Sequence, residues 1–214
     1  MAGDREAVVV IHGLWLGRWN LVFLGGSTRR GGFAVHYFGY ASVRRNLREN
    51  AERLQRFAQN IDAPAVHFVG HSLGGIIIRA LFHYFPNQRP GRIVTIATPH
   101  GGSHVADLLS RFAPGRWLIG KSVSELVAGE PQRWPLPKRE IGIITGDFPL
   151  GIGRLFPGMT RPNDGLLNAD ETRLDGVRDR VCIHLSHSAM PFAPVVAAAV
   201  VRFIKTGSFF RRSP

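Results

Sequence analysis

The stretch "FVGHSLGG", residues 68–75, decides how the chain is read. It closes an apolar run that begins at Ala65 and opens directly onto "IIIRALFHYF", residues 76–85. A short β-branched run followed by an apolar segment of helical length places the motif at a strand-to-helix junction. Within it, Gly70 to Gly74 has the form Gly-x-Ser-x-Gly. That spacing has a steric reason. A turn this sharp drives the serine into a strained backbone conformation with positive φ. A side chain two residues before or after it would collide with its counterpart or with the neighbouring strand, so both flanks require glycine. The expected result is Ser72 Oγ exposed at the C-terminal edge of a sheet, where open α/β sheets bind ligands.

The remaining sequence alternates in the same manner. Strand candidates are Ala7–Ile11, Phe33–Phe38, Ala65–Val69, Arg92–Ala97, Ile141–Thr145 and Arg180–Leu185. Most are nearly continuous apolar runs, as expected when helices cover both faces of a parallel sheet. Ser42 is the expected N-cap of a helix through "VRRNLRENAERLQRFAQNI", with Leu47, Leu54, Phe57, Ala58 and Ile61 on one face. Leu73 to Phe85 reads as a buried helix, apolar almost all round. Ser103 caps "HVADLLSRF", and a last helix over Val195–Lys205 ends at Gly207. Ala113–Arg139, rich in Pro, Gly and Trp, reads as irregular with one short helix at Ser122–Ala128. Phe148–Asn163 reads as a loop, and both segments are candidate walls or lids of a site. The pattern predicts an α/β fold with a mostly parallel sheet of about six strands and helices on both faces. The chain shows no repeat or low-complexity linker, and 214 residues suit one large domain, so 1–214 is expected to form a single domain.

Composition bounds the function. A hydrophobic content of 44% supports a full core. The formal net charge is +12, carried by three lysines and 24 arginines. Such a balance favours anionic partners: nucleic acid, acidic lipid head groups or anionic substrates. The arginines are scattered, with the tightest groupings at Arg29-Arg30, Arg44-Arg45 and Arg211-Arg212. Scatter argues for a solvated basic surface and against a nucleic-acid site. The end, "SFFRRSP", has the aromatic and arginine character that suits an anionic membrane surface. One cysteine, Cys182, excludes an internal disulfide and a cysteine-based metal site. It lies in the apolar alternation "RVCIHL" and is expected to be a small buried hydrophobe. The start, "MAGDREAVVVIHG", lacks the basic flank and long apolar region of a secretory signal. No apolar stretch is long enough to span a bilayer, so a soluble, cytoplasmic protein is expected.

A serine hydroxyl is a weak nucleophile without a base, an acid to orient that base, and donors for an oxyanion. The base belongs after the last strand, where "LSHSAM" puts His187 two residues past Leu185. His71 lies inside the motif and is expected to point away from Ser72, and His184 lies inside the strand. His100 and His104 flank "GGS" and are candidate pocket residues. For the acid, Asp147 follows "IGIITG" directly, and Asp164 follows later in "RPNDGLL", where "NDG" also suits a tight turn. The expected oxyanion donors are the backbone N–H of Leu73, next to the serine, and that of Leu14 in the first loop, "HGLW", residues 12–15. Gly13 lets that loop come close. Trp15, Leu16, Trp19, Trp117 and Leu118 are candidates for an apolar cleft. This chemistry calls for no metal and no organic cofactor.

Together "VVVIHGLW", "FVGHSLGG", "IATPHGGS", "PNDGLL" and "LSHSAM" resemble the α/β-hydrolase family, and within it small lipases and esterases. The likeness spans nearly the whole chain. "LDGVRDRVCIHLSHSAM" is similar to minimal bacterial lipases, and "ATPHGGS" resembles enzymes that deacylate lipid-linked inositol and palmitoyl-thioester hydrolases. The resemblance implies the acid in an Asn-Asp-Gly context, which favours Asp164 over Asp147. The chain is expected to depart from the family pattern in beginning at its usual third strand, without the N-terminal hairpin, and in carrying no large cap domain. The Ser-His-Ser setting of His187 departs from the commoner Gly-His or Asp-His. The implied function is cleavage of a carboxylic ester, a small molecule or a lipid, through an acyl-enzyme. An acyltransferase or thioesterase on the same triad, and a non-catalytic protein that binds an anionic partner, are the alternatives.

Overall fold

Strand β1 (Ala7–Ile11) shows why the core has two halves. Its side chains alternate, so Ala7, Val9 and Ile11 enter one apolar cluster while Val8 and Val10 enter another. Each cluster is one face of a sheet covered by helices. The computed structural model describes residues 5–210. The pair Arg211-Arg212, with the end of "SFFRRSP", and the first four residues of the N-terminal segment lie outside the described residues.

The other strands are β2 (Ala34–Phe38), β3 (Val66–His71), β4 (Ile93–Ile96), β5 (Ile141–Gly146) and β6 (Asp179–Ile183). They form one six-stranded sheet in the order β2-β1-β3-β4-β5-β6, with every pair parallel. All six expected strands are present, with no end moved by more than two residues. The helices are α1 (Val22–Arg30), α2 (Leu47–Gln59), α3 (Leu73–Tyr84), α4 (His104–Ser110), α5 (Ala113–Val127) and α6 (Pro194–Thr206). α1 and α6 pack together on one face, and α2 and α3 on the other. No large cap is evident among the described residues.

The strand order positions the site. From β1 the chain crosses outward to β2, then returns to place β3 on the other side of β1. Crossovers that leave in opposite directions open a crevice at the C-terminal ends of β1 and β3. Ile11 and Gly70 are partners in register, so the loops after these two strands start level with each other.

Several expectations are corrected. Asn46, not Ser42, caps α2: its side chain accepts the Glu49 N–H at 2.8 Å, and Glu49 accepts the Asn46 N–H at 2.9 Å. This reciprocal pair satisfies two orphan donors. Ser42 Oγ instead accepts the Trp15 N–H at 3.2 Å and ties down the loop after β1. Ala113–Arg139 is more ordered than its composition suggests. Pro114 falls in the first turn of α5, where a missing N–H does no harm. Gly115 packs against the Leu109 backbone, and Gly120, at φ 73°, breaks the helix so that it can turn. Cys182 is exposed, because β6 is an edge strand paired only with β5. His184 lies just past β6 and not inside it.

Asn46→Ala is expected to lower the unfolding free energy by about 1 kcal/mol, the usual effect of losing an N-cap acceptor. Urea denaturation followed by circular dichroism measures it, and an unchanged midpoint would contradict the capping assignment.

Candidate active site

The turn between β3 and α3 has the expected strain. Ser72 sits at φ 55°, ψ −125°, between the last strand residue and the first helical one. Its surroundings show why both glycines are needed. A Cβ on Gly70 would lie 2.5 Å from the Gly75 nitrogen, and one on Gly74 would lie 2.7 Å from the His12 carbonyl oxygen. Gly75 is equally confined, with the Thr98 Cβ 2.9 Å from where its own would be. Thr98 Oγ1 in turn donates to the Ser72 carbonyl at 3.1 Å, fastening the turn to the end of β4. None of these contacts with Thr98 is visible in the local motif.

The loop after β1 runs beside the serine. A Cβ on Gly13 would sit 3.0 Å from Ser72 Cβ and 3.5 Å from its Oγ. Only glycine lets the loop pass this near the serine. The N–H of Leu73 is an orphan donor of the first turn of α3. Neither the Leu14 nor the Leu73 N–H has a protein acceptor among the described residues. The loop is braced from behind. His12 Nδ1 bonds to the Gly13 carbonyl at 2.8 Å, and Tyr40 Oη donates to the His12 carbonyl at 2.9 Å while stacking on its ring.

Asp164 and His187 meet in the interior. His187 Nδ1 lies 2.9 Å from Asp164 Oδ2, and both side chains are buried. Asp164 Oδ1 accepts the N–H groups of Leu166 and Leu167 at 2.9 and 2.7 Å, so the carboxylate is held by donors on both oxygens. The His187 N–H also donates to the Asp164 carbonyl at 2.8 Å. The turn reading of "NDG" is therefore correct as well: the Leu166 and Leu167 bonds are that turn. Asp164 reaches the sheet because Gly146, at the end of β5, leaves room for it; a Cβ there would lie 3.1 Å from the Asp164 Cβ. Asp147, the other candidate, pairs with exposed His184 at 2.8 Å and stands apart from His187.

Ser72, His187, Leu14 and Leu73 line one cavity of about 380 Å³. No Ser72–His187 hydrogen bond is present among the described residues. Such bonds are commonly long in unliganded sites and tighten with substrate. Most of the remaining wall is apolar. Trp15 and Leu16 line it as expected, whereas Trp19, Trp117 and Leu118 lie outside it. His100 and His104 also lie outside: His100 bonds to Thr95 and His104 to the Pro157 carbonyl. Ile119, Val123 and Leu126 of α5 complete the wall, together with Leu166 and Leu167. The helical spacing of the first three is the signal for them, masked by the prolines and glycines around it. A wider depression of about 550 Å³, behind the first loop, contains neither Ser72 nor His187.

The matched family model, described as the Alpha/beta hydrolase family, covers residues 8–207. The chain belongs to that family. Structures of similar shape agree with the hydrolase fold. A lipase of Bacillus licheniformis in its propeptide form has a TM-score of 0.73 at 19% identity, over 89% of this chain and 48% of its own. A metagenomic carboxyl esterase has a TM-score of 0.69 at 20% identity, over 89% and 66%. The monoacylglycerol lipase of Paleococcus ferrophilus has a TM-score of 0.64 at 15% identity, over 92% and 93%. The chain thus spans about half the length of the first and two thirds of the second. No curated protein matches it by sequence. Among the described residues, no group of three or more His, Cys, Asp or Glu is arranged to hold a metal, and no helix is long and apolar enough to cross a membrane.

His71 braces His187. Its Nε2 lies 3.1 Å from the His187 carbonyl, so it donates there as a neutral ring, and its Nδ1 is buried without a partner. Burial, and next the nearby His187, push its pKa down to about 3. Burial does the same to His100, also to about 3, assisted by the Arg79 charge. Both rings charge more readily in the unfolded chain, near 6.5, than in the folded one. The unfolded state therefore binds more protons, and stability is expected to fall as pH drops below 6.5 toward 3. His100→Gln should flatten that slope by about 1.4 kcal/mol per pH unit near pH 5, one proton's worth. Urea titrations at stepped pH test this, and an unchanged slope would contradict it.

Proposed function

We propose that the chain is a serine hydrolase that cleaves carboxylic esters through an acyl-enzyme, with residues 1–214 acting as one catalytic domain. The observation that carries the reading is the buried Asp164–His187 pair opening onto the same apolar cavity as Ser72. Asp164 fixes His187 with the proton on Nδ1, which leaves Nε2 able to take a proton. As Ser72 Oγ attacks the acyl carbon, its proton passes to His187 Nε2. The carbonyl oxygen becomes an oxyanion that accepts the Leu14 and Leu73 N–H groups. Collapse expels the alcohol, which leaves with the proton from His187. Water then repeats the sequence and releases the acid, restoring Ser72.

The cavity wall supports an apolar acyl group. Ile119, Val123, Leu126, Leu166 and Leu167 offer it surface without competing hydrogen bonds. That three structures of similar shape come from two lipases and a carboxyl esterase agrees with this substrate class.

A fluorophosphonate probe should label the wild type and neither Ser72→Ala nor His187→Ala. With a chromogenic ester, Asp164→Asn should lower kcat about 10³- to 10⁴-fold, because the amide orients the wrong tautomer. Asp147→Asn should leave the rate unchanged, since its partner His184 is exposed and remote from the cavity. Equal losses in the two aspartate variants would reject the assignment, and full activity in Ser72→Ala would reject the whole reading.

A further inference from the structure

We propose that the face at which Ser72 opens docks on an anionic lipid bilayer. The first observation is where exposed apolar side chains lie. Apart from Phe210, every large one among the described residues sits on a segment leaving the C-terminal end of β1, β4, β5 or β6. The most exposed are Trp19 at 78%, Phe112 at 68%, Trp117 at 80% and Leu155 at 82%. Folding leaves such large apolar groups in water at a cost of roughly 1.5–3 kcal/mol each relative to burial. Clustering of this kind at one edge marks an interaction surface.

Part of the cluster reaches the cavity itself. Trp15, Ile152 and Phe192 come from three different strand ends, line the cavity and remain half-exposed. Trp15 Nε1 donates to the Leu118 carbonyl at 2.9 Å, which joins the β1 loop to the segment carrying Phe112 and Trp117.

The second observation is charge. Residues 14–23, 108–121, 148–162 and 188–195 supply this rim. They contain Arg18, Arg111, Arg116, Lys121, Arg154 and Arg161. The adjoining carboxylates are Asp107, which pairs with Arg111 at 2.8 Å, and Asp147, which pairs with His184; among the described residues the other five cations form no ion pair. A depression of about 430 Å³ in the rim combines Arg154 and Arg161 with Phe148, Leu150, Phe156 and Met159, without a carboxylate. Apolar side chains beside guanidinium groups match the boundary of an anionic membrane, where acyl chains meet phosphates. Nucleic acid would be served by the charges but not by Leu155 or Ile152, which offer no stacking face. The proposal rests on the ester-hydrolase reading only for the reason that an apolar cavity opens on this face.

The test uses Ser72→Ala protein, so that binding is read without turnover. Co-sedimentation with phosphatidylglycerol-containing vesicles should exceed that with pure phosphatidylcholine vesicles and weaken with salt. Tryptophan emission should shift to the blue as Trp19 and Trp117 enter the interface. Arg154→Gln with Arg161→Gln should lower the partition coefficient about 30-fold, from about 1 kcal/mol for each cation near the surface. Trp117→Ala with Leu155→Ala should weaken binding even at high salt. The control is Arg29→Gln with Arg30→Gln, which removes the same charge from the far end of α1, at the opposite edge of the sheet. It should leave partitioning nearly unchanged. Equal loss in both arginine pairs would mean diffuse attraction to a basic protein and would overturn the proposal. Equal binding to both vesicle types, or none to either, would also overturn it. Fluorophosphonate labelling of the wild type reads the catalytic assignment separately, so either reading can fail alone.

Discussion

The structure depends on one constraint, the close approach of backbones at the β3–α3 turn. Ser72 holds a φ of 55°, a conformation that costs a non-glycine residue about 1–3 kcal/mol. It is kept there because α3 is driven into the core. Ile76, Ile77, Ile78 and Leu81 are fully buried, and each contributes about 1.5–3 kcal/mol by leaving water. Their combined burial outweighs the strain severalfold. Gly70, Gly74 and Gly75 let the helix start close to the ends of β1 and β4, so the burial of α3 and the half-buried position of Ser72 are consequences of the same packing.

The sheet topology supplies the remaining geometry. Because β1 and β3 are neighbours in register, the loops that follow them arrive side by side, and Gly13 lies directly against the serine. Because β5 and β6 continue the same parallel order, the segments after them converge on that edge. Asp164 and His187 are separated by 23 positions in sequence but are joined by both a side-chain and a backbone hydrogen bond. Gly146 opens the space in which they meet. Burial then removes water from the pair, which strengthens the hydrogen bond and keeps its geometry unique.

Much of this is legible in the sequence. β-branched runs identify strands because both sheet faces are buried, and the six expected strands are those observed. The motif at 70–74 carries its own steric explanation. The differences between expectation and fold involve residues whose local preference has more than one outlet. Ser42 and Asn46 are both good caps, and Asn46 takes the role because Glu49 stands where it can complete the reciprocal bond. Pro114 and Gly115 suggest a loop, yet they fit the first turn of α5 against α4. Cys182 lies in an apolar alternation that would be buried in a central strand, but β6 is an edge.

Local chemistry along the chain is enough to set the order of strands and helices, the strained serine turn and the pool of candidate bases and acids. These follow from sterics and hydrophobic periodicity, which act over a few residues. Long-range packing selects which aspartate meets which histidine, and which aromatic residues line the cavity and which face outward. It also brings most of the exposed apolar groups to one edge, beside cations that outnumber the adjoining carboxylates. Those facts arise from contacts between segments far apart in the chain. They are set by how the sheet is ordered and where a glycine leaves room, and no local pattern encodes them.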